Sequence, residues 1–284
     1  MELKNNPHNR QKKRITSLTL SKDDLKTLCL KLQEKANSAS KIEIENYVRG
    51  EIEEEQYKKD LETIKELFQL SITVTGKNGE EITGVVNELF DLASYPKEVK
   101  YVFIDTKIKF KVRNYNPLNG FRIFLDFTKP KIFDLNFLPS ANTPNESNFE
   151  VEGYDTTWVT GVFADVSNFL NDRKSNFSFF HKHSIYDLLL YLLGFPISFW
   201  ICYKLSDKLD TLFQNSFMVN ASYMYVFLSS LVIFRLLFHY IRWVTPLVEY
   251  VYDGSRIGTH RTIAFSISIS IVGAVIYDIL KSFF

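Results

Sequence analysis

The chain has 284 residues, with 34 Lys and Arg against 33 Asp and Glu and a formal net charge of +1. That balance gives no overall basic field for nucleic acid. Two cysteines, Cys29 and Cys202, neither in a CxxC pair nor beside histidines, exclude a disulfide framework or a structural zinc site. The averages hide a sharp change near residue 180, with charged, β-rich sequence before it and long apolar runs after it.

The chain opens with MELKNNPHNRQKKR. It is polar and basic with no apolar stretch behind it, so it does not read as a secretory signal. Residues 1–14 are expected as a disordered basic tail, in which Arg10, Lys12, Lys13 and Arg14 could meet anionic lipid. A short extended piece and a helix follow. Ser21 is the expected N-cap, Asp23 and Asp24 lie in the first turn, and Leu25, Leu28, Cys29 and Leu32 share a face. A second helix is expected over 51–69, with Tyr57, Leu61, Ile64 and Phe68 on its apolar side.

The period then changes to two. SITVTGKNGEEIT reads as a hairpin turning at Asn78-Gly79. Its GKNG is no phosphate loop, because the required spacing is absent. VVNELFDLA reads as a short helix. Strands are expected in EVKYVFIDTKIKFKV, FRIFLDF, KIFDLNF and FEVEG, with a loop over 139–148. A helix beginning after Asp155-Thr156 carries Val159, Val162, Phe163, Val166, Phe169 and Leu170 at i, i+3, i+4, i+7 spacing. Residues 15–174 are therefore expected to form a cytoplasmic α+β domain, and 175–184 a juxtamembrane linker.

Residues 185–284 are expected as a C-terminal α-helical transmembrane bundle. Its three spans lie near 185–205, 221–241 and 262–280, each long enough for a hydrocarbon core of about 30 Å. Gly194 and Pro196 are tolerable in such a helix and are expected to kink it. Lys and Arg before the first span and between the second and third place the N-terminal domain and the 242–261 loop inside the cell. The expected location is an inner membrane, multi-pass, with a cytoplasmic N-terminus.

VIFRLLFHYIRW places Arg235, His239 and Arg242 on one helical face within an apolar run. Arg242 falls at the expected interface. Arg235 lies about two turns deeper, where an isolated charge is costly. Three readings are open: snorkelling toward phosphates, a pair with Asp187 of the first span, or a polar face lining a pore or gate. On the third span Ser266, Ser270 and Gly273 share a face, extended by Thr262 and Tyr277. Small residues at that spacing suit close helix packing, within the chain or between copies. Asp278 near the outer end could collect cations. His181-Lys182-His183 invites a metal or pH reading, but no further ligands accompany it, so the three are expected as interfacial snorkelling residues.

No nucleophile elbow, P-loop, dinucleotide fingerprint, HExxH or kinase set is present. Neither catalysis nor a metal or other cofactor is therefore expected, although an enzyme with an unfamiliar cytoplasmic site is kept as an alternative. A cytoplasmic α+β domain followed by a few C-terminal spans, without catalytic motifs, resembles the membrane effectors of bacterial antiviral systems of the CBASS and Hailong types. The resemblance lies in the layout alone. It implies a homo-oligomeric channel or membrane-disrupting assembly, held shut by a soluble domain that binds a regulatory protein or small ligand. A membrane-anchored receptor or adaptor shares the same layout. The expected partners are thus the lipid bilayer, further copies of the chain and a regulator.

Overall fold

A computed structural model describes residues 7–133, 139–213 and 215–281, apart from the side chain of Ile279. The chain forms two units. One comprises Met1–Thr128, Asn145–Ser175 and Leu247–Gly254; the other comprises Lys129–Pro144, Asn176–Pro246 and Ser255–Phe284.

The first unit is α+β. Its elements run β1 (Asn9–Arg14), β2 (Leu18–Ser21), α1 (Lys22–Glu45), α2 (Glu54–Leu67), β3 (Ile72–Gly76), β4 (Glu81–Gly84), α3 (Val86–Leu89), β5 (Val99–Asp105), α4 (Ile108–Val112), β6 (Asn119–Asp126), β7 (Asn148–Gly153), α5 (Thr156–Asn171) and β8 (Val248–Val251). Six strands make an antiparallel sheet in the order β1-β7-β6-β5-β3-β4. Alternate side chains enter the core: Ile72 and Val74, Val102 and Ile104, Phe121, Ile123 and Leu125, Phe149 and Val151. That is the period-two pattern of a half-buried sheet. Helix α5 brings Val159, Val162, Val166 and Leu170 to the same core, each worth about 1.5–3 kcal/mol on full burial. The opposite sheet face carries ion pairs, Arg10–Glu150 at 2.7 Å and Arg122–Asp105 at 3.0 Å.

Local signals explain most of these boundaries. Ser21 Oγ accepts from Asp24 N while the Asp24 carboxylate accepts from Ser21 N, a capping box that starts α1. The β3–β4 turn places Gly79 at φ 90°, open to glycine and strained for other residues. Asp155 caps α5 through Trp158 N.

Several expectations are corrected. Residues 9–14 are not a disordered tail. They form the edge strand β1, paired from Asn9↔Gly153 to Arg14↔Asn148, with the exposed Arg10, Lys12 and Arg14 alternating with more sheltered neighbours. The strand expected through residue 112 stops at Asp105, whose Oδ1 accepts from Lys107 N in a tight turn. Ile108–Val112 is helical and buries Phe110. Of the strand expected at 131–137, residues 134–137 lie outside the described residues, and 131–133 are not in a strand. The segment between the second and third spans is not just a membrane loop either. It supplies β8, which pairs in parallel with β2 from Leu18↔Val248 to Ser21↔Val251. Leu247, Val248 and Tyr250 are buried in the first unit's core, and Tyr250 meets Phe127 edge-on at 5.6 Å.

The second unit contains three helices long and apolar enough to cross a membrane: Ile185–Leu212, Ser216–Val244 and Ile257–Asp278. The first divides into α6 (Ile185–Leu189), a π turn over Leu190–Gly194 and α7 (Phe195–Leu212). The wide turn precedes Pro196, which lacks an N–H and would crowd a regular turn, so the helix absorbs it as a bulge. Helix α8 is Ser216–Val244 and α9 is Ile257–Lys281. Asp278 on α9 is engaged by Lys204 Nζ (2.7 Å) and Trp200 Nε1 (2.8 Å) of α7, so it acts as an interhelical tie. The protein is thus an α+β region combined with three candidate membrane spans.

Candidate functional site

The C-terminal end of α8 would leave orphan carbonyl groups. Three side chains satisfy them. Thr245 Oγ1 donates to Ile241 O at 2.7 Å, Arg261 of α9 donates to Val244 O through Nε (3.1 Å) and Nη2 (2.9 Å), and the His181 Nε2–H faces Thr245 O at 2.5 Å. Arg242 and Arg261 also put positive charge where the helix dipole is negative.

Arg242 lies at the centre of this arrangement. It is 1% exposed and is the largest fully buried side chain among the described residues. Its Nε donates to Phe180 O at 2.8 Å and its Nη2 to Ala141 O at 3.4 Å, while the guanidinium lies 4.6 Å from the Phe238 ring centroid. One side chain thereby ties α8 to the 139–144 segment and to the 3-10 turn Ser178–His181. The Nη1 atom is buried with no hydrogen-bond partner among the described residues. Arg242 makes no ion pair there either, so its charge is met by carbonyl dipoles and an aromatic face. The guanidinium is therefore held among protein groups rather than left to solvent.

For His181 the expectation is corrected. It is 2% exposed rather than snorkelling. Its Nδ1 is 2.9 Å from Thr143 Oγ1. Since Nε2 faces a carbonyl oxygen, the neutral tautomer carries its proton there and Nδ1 accepts from the threonine. Burial pushes its pKa down to about 4, with Arg242 adding to the effect and the Thr245 carbonyl opposing it. Lys182 and His183 are exposed.

The remaining expected site residues separate. His239 is buried and Arg235 half-buried on the same stripe as Arg242. Pairing of Asp187 with Arg235 is one of the three open readings, and among the described residues no ion pair joins them; Asp187 Oδ1 accepts from Ser140 Oγ at 2.6 Å. On α9, Ser266, Ser270 and Gly273 are exposed, and a Cβ placed on Gly273 would meet no atom within 4 Å. That small-residue face is not used for packing within the described chain. Sequence reasoning missed His181, Thr143 and Arg261 as members of one site. The one available cue was the closeness of His181 to an apolar run, because the partners are mostly backbone carbonyls.

Among the described residues no group of three His, Cys, Asp or Glu side chains could hold a metal ion. The site is a set of side-chain donors set on backbone carbonyl oxygens. It is a desolvated latch in which one neutral imidazole and two guanidinium groups hold the end of a membrane span. Comparison of the chain with protein-family models, curated proteins and solved structures finds no match in any of the three.

Proposed function

We propose that the protein is a homo-oligomeric membrane channel or membrane-disrupting effector whose soluble unit governs the spans, with a role in bacterial antiviral defence. The observation that carries the reading is the position of β8. The latch closes the end of α8 at Val244 and Thr245, and three residues later Val248 enters a strand of the soluble unit. The chain passes between the two units at residues 128/129, 144/145, 175/176, 246/247 and 254/255. An anchor needs one such passage, whereas coupling a binding event to the pose of a span needs a stiff connection. The exposed Ser266, Ser270 and Gly273 face supports close packing between copies. A regulatory protein or small ligand acting on the soluble unit would then shift the spans through β8.

The arginine distribution supports an inner-membrane protein with the N-terminal unit in the cytoplasm. A reporter placed at Gly254 should then give a cytoplasmic signal, and a periplasmic signal would reverse the orientation. The channel reading is tested by membrane-potential dyes in expressing bacterial cells and by planar-bilayer recording of the purified full-length chain. Depolarisation with discrete currents is expected. Polarised cells together with bilayers indistinguishable from empty ones would leave a membrane-anchored receptor as the better account.

A further inference from the structure

Between α7, α8 and α9 lies a cavity of about 310 Å³. Its walls are apolar apart from two serines, and both hydroxyls are already used, Ser230 Oγ on Phe227 O (2.7 Å) and Ser268 Oγ on Ala264 O (2.9 Å). Trp200 Nε1, at the far end, is taken by Asp278. Water needs two to four polar partners in such a site, and the two hydroxyls, each already donating to a carbonyl, leave it only acceptor lone pairs. The occupant therefore has to be apolar, and three membrane-crossing helices are surrounded by acyl chains.

Length and charge narrow the choice. On α8 the lining runs from Ser230 to Ile241. Eleven residues rise about 16 Å, roughly half a hydrocarbon core and so the depth of one leaflet. Phe180, Ile241 and Phe265 close one end. That end borders the latch: Arg242 follows Ile241 and bonds Phe180 O, and Arg261 lies one turn before Phe265 with its guanidinium 5.2 Å from the Phe177 ring centroid. Phe177 in turn stacks on Phe265. At this end the buried Arg242 Nη1 has no acceptor among the described residues, and Lys182 is exposed two residues beyond Phe180. An apolar slot one leaflet deep, ending at guanidinium groups, has the polarity of an anionic phospholipid.

We propose that this cavity binds one anionic phospholipid per protomer, with an acyl chain among the three spans and its phosphate at the Arg242 and Arg261 end. The inference needs the spans to lie in a bilayer and is independent of whether they conduct.

Native mass spectrometry of the full-length protein, purified into an equal mixture of phosphatidylglycerol and phosphatidylcholine, tests it. One tightly held lipid per protomer is expected, with phosphatidylglycerol favoured on the order of tenfold. Ser268→Phe fills the cavity and should abolish retention, while Val232→Phe, at an exposed α8 position outside the lining, should leave it intact. Arg242→Gln should erase the headgroup preference. Equal retention of the two lipids by the wild type, or full retention by Ser268→Phe, would overturn the proposal. If Arg242→Gln does not fold, the two phenylalanine variants and the headgroup competition still decide the matter.

Discussion

His181 Nδ1 lies 2.9 Å from Thr143 Oγ1 while the opposite ring nitrogen meets Thr245 O, so the ring joins the 139–144 segment to the end of α8 as a neutral group. Protonation would turn the Nδ1 acceptor into a donor and place a second cation near Arg242. Above pH 6.5 the ring is neutral both folded and unfolded, and it contributes no pH dependence. Below 6.5 the unfolded ring gains a proton that the folded ring refuses until about pH 4, so stability falls as pH drops through that window. The loss should be about 2 kcal/mol by pH 5. Denaturation midpoints of the detergent-solubilised protein between pH 7 and pH 5 measure it. His181→Gln should be less stable at pH 7 and nearly flat across that range. An equal slope in the variant would assign the pH dependence to other groups.

Arg242 makes a second test of the latch. Arg242→Ala removes the donors to Phe180 O and Ala141 O and the contact with the Phe238 ring. Two partly buried carbonyl groups then lose their donor, at up to about 1–3 kcal/mol each, partly offset by removal of a desolvated charge. A net loss of about 2 kcal/mol is expected. Arg256→Ala, at an exposed position, should change stability by less than about 0.5 kcal/mol. Thermal unfolding of both variants in one detergent gives the comparison, and equal midpoints would show that Arg242 does not hold α8 to the 139–144 segment.

What the sequence discloses and what it hides follow one physical line. Side-chain signatures were legible: the Ser21 and Asp24 capping box, the Asn78-Gly79 turn, the α5 stripe and three apolar runs of spanning length. Strand β1 was not, because Asn9–Arg14 contains no apolar residue and its place depends on β7, far along the chain. Strand β8 lies between two spans, where a connecting loop is the simpler expectation, and its partner β2 is more than 200 residues away. Ile108–Val112 alternates like a strand and becomes helical because Asp105 turns the chain first. The burial of Arg242 was hidden for a different reason. Carbonyl groups from Ala141 and Phe180 hold it, and every residue type carries a carbonyl.

Glu43 shows the same dependence on distant backbone within the soluble unit. It is 2% exposed. Its carboxylate accepts from the Tyr115 hydroxyl and, at 2.7 Å, from Leu118 N. Burial, with the Glu43 hydrogen bond and charge behind it, pushes the Tyr115 phenol pKa up. Glu43→Ala strands both donors and should cost about 2–4 kcal/mol. Glu43→Gln keeps an acceptor for Leu118 N and should cost less. Urea unfolding followed by tryptophan fluorescence ranks the two, and the reverse order would contradict the assigned bonds.

Gly273→Leu and Ser270→Leu address association between copies. Space is open around Gly273, so the single chain should fold and insert with the larger side chain. Close contact between two α9 helices should be lost. Crosslinking in native membranes is expected to show oligomer for the wild type and mostly monomer for the variants. An unchanged ladder in both would remove this face from the assembly.

The last prediction concerns β8 as the coupling element. Thr19 on β2 and Glu249 on β8 are directly opposite in the parallel register. Cysteines at neighbouring positions of paired strands come within reach of a disulfide. In a Cys202→Ser background, where Cys29 is fully buried, Thr19→Cys with Glu249→Cys should therefore crosslink under mild oxidation. The bond fixes the strand that follows α8 and leaves every span untouched. If motion of β8 relative to β2 opens the assembly, oxidised protein in planar bilayers should stay at its resting conductance, and reduction should restore gating. Each single-cysteine variant should behave alike with and without oxidant. Mass spectrometry of the recorded sample must show the crosslink. Identical currents before and after reduction in a fully crosslinked sample would mean that gating, where present, bypasses β8. Constant open currents in the oxidised form would instead show that the pairing seen here belongs to the conducting state, which reverses the sense of the coupling but keeps β8 as its carrier.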